Sequence, residues 1–285
     1  MTRKTTTRSK KAYAILILAL LSCPFTGRAQ VGILNGLTQE KVCKPGEAFQ
    51  SFITIRNYGR EPQDVRIYQT DYAFTFDGKS YYDPPGKAPR SNAGWIAIGH
   101  KQMTIAGASH ADVRFSVKVP DDPGLVGTYW SVIMVEGVAK AQAAPPGTPQ
   151  KEPSVGINQV VRYAVQIVTQ IGDSGSLQLK FLKTELLQDN GRKTLHVDVE
   201  NTGERWLRPV ASLELYHQNG ELAGKFEGER LRIFPETSVR FSFDVSRVAE
   251  GRYKALVMLD NKDSHVFGAQ YTLDFTFPGK GPRDF

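Results

Sequence analysis

From about residue 31 onward the chain consists of short apolar runs in which hydrophobic and polar residues alternate. Phe49-Gln50-Ser51-Phe52-Ile53-Thr54-Ile55 and Val113-Arg114-Phe115-Ser116-Val117-Lys118-Val119 gather β-branched and aromatic residues largely on one parity. That period of two is the mark of a half-buried strand. Between the runs stand Lys44-Pro45-Gly46, Asp77-Gly78, Asn190-Gly191 and Asn219-Gly220, where glycine can supply the positive φ of a tight turn. No stretch carries the 3.6-residue period of an amphipathic helix. Many short strands at regular spacing predict an all-β chain of immunoglobulin-like sandwich type.

The pattern also repeats. Ile53-Thr54-Ile55-Arg56-Asn57-Tyr58-Gly59-Arg60-Glu61 matches Val197-Asp198-Val199-Glu200-Asn201-Thr202-Gly203-Glu204-Arg205, and the run Val113 to Val119 matches Val239 to Val245. Gly127-Thr128-Tyr129 matches Gly251-Arg252-Tyr253, each just before an apolar strand where sandwich domains place a tyrosine corner. Three matches in one order predict two tandem immunoglobulin-like domains. We place them at 30–172 and 173–278, joined through Gly172-Asp173-Ser174-Gly175-Ser176, with a tail at 279–285. Residues 139–154, poor in large apolar side chains, read as a mobile loop inside the first domain. Tyr81 to Asn92, with Pro84, Pro85, Gly86 and Pro89, reads as an irregular insertion.

The first 29 residues follow another logic. Arg3, Lys4, Arg8, Lys10 and Lys11 precede an apolar run from Ala12 to Leu21, and Gly27-Arg28-Ala29 sets small residues three and one before a cut ahead of Gln30. This predicts a secretory signal peptide and a periplasmic or secreted protein. A lipoprotein anchored at Cys23 of Leu20-Leu21-Ser22-Cys23 is the lesser alternative. The leader holds six basic residues and no acidic one, so it accounts for all but one unit of the net charge of +7. The basic balance therefore reports targeting and argues against a nucleic-acid partner. No later run approaches the length of a membrane span. With Cys23 removed, Cys43 is alone, and no internal disulfide supports the fold.

Chemistry-bearing patterns are few. Gly172-Asp173-Ser174-Gly175 copies the tetrapeptide around the nucleophile of trypsin-like proteases, but it falls at the predicted domain joint. His100, His110, His196, His217 and His265 are scattered, without metal-ligand spacing, and Asp260-Asn261-Lys262-Asp263 reads as a hairpin turn. No glycine-rich phosphate loop is present. We expect a protein that is not an enzyme and needs no metal or other cofactor. Trp95, Trp130 and Trp206 lie among apolar residues and read as core rather than as a sugar-stacking platform.

The informative feature is a pair of strands flanking the 139–154 loop. Trp130, Val132 and Met134 are apolar on the parity where a strand with one wet face should be polar. They form a candidate apolar face. After the loop Val161, Tyr163, Val165 and Ile167 share one parity, with Arg162 on the other. Either these strands are covered on both sides, or they accept a partner segment by strand addition.

In its export signal, two predicted sandwich domains, polar loop and long alternating strand Ile157 to Ile171, the chain resembles the periplasmic chaperones of chaperone–usher pilus assembly. The resemblance implies that Val161, Tyr163, Val165 and Ile167 are lent to an unfinished subunit. It also implies a basic pair between the domains, one Arg on the first strand and one Lys on the long strand. This chain departs there: Val31 to Val42 contains no Arg and offers only Lys41, while Arg162 is the candidate for the second cation. Val42 to Asn57, with its Lys44-Pro45-Gly46-Glu47 turn, is similar more weakly to surface proteins that interact with cell-wall WxL proteins. The expected function is a non-catalytic, chaperone-like protein that binds a protein client of the cell envelope or surface. The alternative is a structural or adhesin-like envelope protein that binds wall polymer or another surface protein.

Overall fold

The alternation around Ile53 and Ile55 folds as a strand because only a pleated backbone sends successive side chains to opposite faces. The computed structural model describes residues 31–138 and 160–276. The proposed signal peptide with Cys23, the 139–154 loop and the 279–285 tail lie outside the described residues. The first strands are β1 (Val31–Ile33), β2 (Thr38–Cys43), β3 (Ala48–Asn57), β4 (Gln63–Thr70), β5 (Ala73–Phe74), β6 (Ser80–Tyr81), β7 (Ile96–Ile98), β8 (Gln102–Ile105), β9 (His110–Lys118), β10 (Gly127–Gly137) and β11 (Arg162–Ile171). They build two sheets, ordered β1-β3-β9-β7 and β2-β11-β10-β4-β8, with β5 and β6 as a separate ribbon. There follow β12 (Leu179–Asp189), β13 (Arg192–Asn201), β14 (Val210–Tyr216), β15 (Leu222–Arg230), β16 (Ser238–Asp244), β17 (Arg252–Asp260) and β18 (Val266–Asp274). These form sheets β12-β13-β16 and β15-β14-β17-β18. The molecule is two immunoglobulin-like sandwiches in tandem.

Each sandwich buries one parity of its strands. Ile53, Ile55, Val113, Phe115 and Val117 meet Val65, Ile67, Ile133, Val135, Val165 and Ile167 in the first. Val197, Val199, Phe241 and Phe243 meet Leu213, Leu215, Val257 and Leu259 in the second. Removing each such side chain from water contributes about 1.5–3 kcal/mol. Cys43 is buried with Val119 and Ile171, and that burial pushes its thiol up.

The repeated Asn-x-Gly is a buried knot in both copies. The Asn57 side-chain amide donates to the carbonyls of Glu61 (2.8 Å) and Ile105 (3.0 Å), and its Oδ1 accepts from the Gly59 N–H at 2.8 Å. In the second copy the Asn201 amide donates to Arg205 (2.7 Å) and Ile233 (3.0 Å), and Oδ1 accepts from Gly203 N–H at 2.9 Å. A side chain that donates twice and accepts once is fully used, as burial demands. Each knot ties its strand end to a turn containing a left-handed non-glycine residue, Ala108 (φ 54) in one and Glu236 (φ 63) in the other. The two Gly-x-Tyr motifs diverge. The Tyr253 hydroxyl donates back to Ala249 O at 3.2 Å, forming a tyrosine corner, whereas Tyr129 packs against Trp95 with ring centroids 4.7 Å apart.

The first strand is not continuous from Val31 to Val42. β1 pairs with β3 through Val31↔Asn57 to Ile33↔Ile55, and after a crossover at 34–37 β2 pairs parallel with β11 in the opposite sheet. The insertion begins earlier than Tyr81: the chain leaves the sheet after Thr70, forms the β5–β6 ribbon and returns by the loop 82–92.

Candidate functional site

The crossover at 34–37 leaves two strands half-covered, because one short segment serves two sheets. On one side β1 covers only the end of β3, Ile55 to Asn57. On the other, β2 covers β11 only from Gln166 to Ile171. The stretch of β3 next to the end of β1 is capped by side chains. Asn35 donates its amide to Phe52 O (2.7 Å) and accepts from Thr54 N–H (3.0 Å), so one carboxamide takes the place of a strand residue's peptide group. Gln39 donates to Phe52 O at 2.8 Å and accepts from Ser51 Oγ at 2.6 Å.

The upper half of β11 has no such closure among the described residues. Gln166 N–H donates to Leu37 O at 2.9 Å, so Gln166 turns its backbone toward β2. Strand alternation puts the N–H and C=O of Arg162 and Ala164 on that same side, beyond the end of β2. Leu37 (49% exposed), whose carbonyl holds Gln166, and Val160 (40%), two residues before Arg162, stand next to this open edge, while Leu34 (51%) is held by its N–H on Thr54 O of β3. β18 also runs along a sheet edge, but the side chains it exposes are Val266, Gly268, Gln270, Thr272 and Asp274, mostly small or polar.

The sequence-predicted residues do not face this edge with their side chains. Val165 and Ile167 are buried in the first core. Tyr163 is half-buried against that core and donates its hydroxyl to Val31 O at 2.8 Å; Val161 is half-buried. The parity that was to be lent outward fills the sandwich, because β11 is an interior strand of its sheet over its lower half. Among the described residues only its upper backbone is open.

The apolar face is covered too. Trp130, Val132 and Met134 are buried. The Trp130 indole stacks on Phe234 of the second sandwich, with centroids 4.9 Å apart and planes 10° off parallel. Val168, Phe74 and Trp206 complete that cluster. Trp130 is therefore a seam between the sandwiches, and no Trp forms an exposed platform.

Arg162 is not a cleft cation. It stands opposite Glu136 in the ladder, nine residues and so about 30 Å along the strand from Ile171. There it completes a cluster: Glu136 accepts from Arg66 (2.9 Å) and Tyr68 (3.0 Å) and lies 3.3 Å from Arg162. Burial alone would raise the Glu136 carboxyl, but the hydrogen bonds from Arg66 and Tyr68 and the charge of Arg162 outweigh it and hold it below its usual range. This cluster pins the first residue of the open edge to β10.

The cleft between the sandwiches draws its cations from the second one. A space of about 500 Å³ is lined by Glu40, Gln170 and Asp173 on one side and by Arg205, Trp206, Arg208 and Arg230 on the other. Lys41 does not line it. The position offered by the first strand is Glu40, which accepts from the Trp206 indole at 2.7 Å and sits 3.8 Å from Arg232. Burial pushes the Arg232 guanidinium below its usual range, with Glu40 opposing that shift. Arg205 pairs with Asp173 at 2.7 Å. Arg230 donates to Arg208 O at 3.0 Å, and among the described residues no carboxylate comes within 4.0 Å of the Arg208 or Arg230 guanidinium. Such guanidinium forks match carboxylates. These residues escaped the sequence reading, although Glu204-Arg205-Trp206-Leu207-Arg208 and Glu229-Arg230-Leu231-Arg232 were visible as basic clusters beside the repeat.

The protease-like tetrapeptide serves the joint. The Ser174 hydroxyl donates to Ile171 O at 2.5 Å and accepts from Gly127 N–H at 3.1 Å. Asp260 and Asp263 are spent on Lys262, Asn261 and His265, as a turn requires.

No protein-family model matches this sequence, and no curated protein matches it. Among solved structures, it is similar to a chaperone–tip adhesin complex of CFA/I fimbriae biogenesis, at 12% identity and TM-score 0.45, covering 86% of this chain and 98% of that one. The class 5 fimbriae chaperone CfaA is similar at 12% identity and TM-score 0.44, over 85% of this chain and 98% of its own. The E. coli chaperone DraB is similar at 15% and 0.40, over 84% and 95%.

Proposed function

We propose that this protein is a non-catalytic, periplasmic chaperone-like protein that binds an extended segment of an envelope or surface client, of pilus-subunit type, along the upper half of β11. The observation that carries this reading is the contrast between its two half-covered edges. An unpaired row of backbone donors and acceptors is a template for another strand, and folded proteins normally blunt it. Here Asn35 and Gln39 blunt part of the edge of β3, while among the described residues nothing pairs with the outward groups of Arg162 and Ala164, beside the exposed Leu37. Main-chain hydrogen bonds would supply affinity and the bordering apolar side chains would supply selectivity.

Ala164→Pro tests this directly. It removes one outward N–H and fills its place with the pyrrolidine ring, without touching the bonds to β10. We expect capture of envelope proteins by the full chain to fall at least about tenfold, the equivalent of about 1.4 kcal/mol. Stability should change by less than about 1 kcal/mol. In wild type, client capture should slow amide hydrogen exchange at Arg162 and Ala164. Undiminished capture by Ala164→Pro would overturn the proposal.

A further inference from the structure

The insertion between β4 and β7 contacts the second sandwich at residues that do not line the cleft. Its root is fixed in the first sandwich. The buried Asp71 carboxylate accepts from the N–H groups of Gly86 (3.0 Å), Lys87 (2.6 Å) and Ala88 (2.7 Å) and from the Ser91 hydroxyl. Tyr72 O accepts from the Trp130 indole at 2.9 Å. From that anchor the β5–β6 ribbon projects as a tight hairpin, closed by Thr75 N–H to Lys79 O at 3.1 Å and by Gly78 at φ 81.

The tip lands on β16. Phe76 N–H donates to Ser238 Oγ at 3.1 Å, and the Phe76 ring lies under the Arg240 guanidinium, 5.3 Å from centroid to carbon. Arg240 is itself held by two bonds to the buried Asp198, at 2.6 and 2.8 Å. Phe74 meets Phe234 edge to face at 6.3 Å. The return loop carries Arg90 back to the joint, where it lies 3.2 Å from Glu204 and donates to Val126 O at 2.9 Å.

We propose that this insertion is a strap that locks the second sandwich in one orientation relative to the first. Contacts at Glu204, at Phe234 and at Ser238–Arg240 are three separate points, and three points fix a rigid body against tilt in every direction. Outside the strap the sandwiches meet through the Trp130–Phe234 stack and through Glu40 with Trp206 and Arg232, an interface of the small, partly polar kind that ordinarily leaves domains room to rotate. The strap thereby sets how far Glu40 and Gln170 stand from Arg205 and Arg230 across the cleft. This inference does not depend on the client-binding reading.

The test uses the full chain with residues 74–80 replaced by Gly-Ser-Gly, read by residual dipolar couplings on both sandwiches. In wild type a single alignment tensor should fit all amides. In the shortened chain each sandwich should keep its dispersed spectrum but require its own tensor, and one cooperative thermal transition should become two. A single tensor with unchanged orientation would overturn the strap. If shortening the ribbon unfolds either sandwich, Phe74→Ala combined with Phe76→Ala and Arg90→Ala removes the strap's ring contacts and its ion pair to Glu204 while leaving the ribbon backbone and the Asp198–Arg240 pair in place. A changed relative orientation there supports the lock, and an unchanged one overturns it.

Discussion

β3 and β11 each lose half a neighbour to the same crossover, yet the chain treats them differently. At β3 a single Asn35 carboxamide, backed by Gln39, takes up Phe52 O and Thr54 N–H just beyond the end of β1. At β11 the equivalent groups of Arg162 and Ala164 meet nothing among the described residues, and the exposed Leu37 stands beside them. Two amide side chains are enough to cap the part of an edge nearest a strand end. Leaving one open next to apolar surface is therefore informative, since it risks self-association unless a partner fills it.

The largest effect should come from confusing the two faces of β11. Val165→Asp places an unpaired charge in the first core, and we expect a loss of about 4 kcal/mol or more, seen as insoluble protein or a collapsed melting transition. Ala164→Pro, one residue away, should leave the melt nearly unchanged. If both variants melt alike, the assignment of inward side chains and outward backbone is wrong.

Next comes the capped edge. Asn35→Ala combined with Gln39→Ala removes its cover, and should cost about 1–2 kcal/mol for the bonds lost. The variant should also self-associate more at equal concentration, as sedimentation would show. A strictly monomeric double variant would mean that the two amides merely decorate β3.

The smallest effect is pH-dependent and concerns the pinned end of the open edge. Glu136 has a folded-state pKa below its usual 4.5. Its contribution is present above the unfolded value and is lost as pH falls through the lower folded one. Wild type should therefore lose stability, as pH falls below the usual carboxylate value and through the lower folded one, more steeply than Glu136→Gln does. Amide exchange at Tyr163 should quicken over the same range. Parallel pH curves for the two proteins would remove Glu136 from this role.

The repeat shows how far a linear pattern reaches. Asn57 and Asn201 were aligned by neighbouring residues alone, and both proved to be buried knots with the same donors and acceptors. The same turn then diverges: Ala106 follows Ile105 in one copy, and Phe234 follows Ile233 in the other. That single enlargement places a ring against Trp130 and joins the sandwiches. Nothing near Phe234 in the sequence marks Trp130, which is more than 100 residues away, as its partner.

By itself the sequence determined the strands, the parity of their apolar faces, the two-copy architecture and the scarcity of catalytic motifs, because these follow from local alternation and turn chemistry. Tertiary structure alone decided what covers each face. Parity shows that Val165 and Trp130 lie on opposite sides of their sheet, but not that one side meets β3 and β9 while the other meets a second sandwich. It also decided where β1 hands over to β2, which half of β11 stays open, and that the cleft arginines come from 205–230 and not from Arg162. Pairings between residues more than 100 positions apart, such as Gln166 with Thr38, depend on the loops closed and the total surface buried. No window along the chain contains that information.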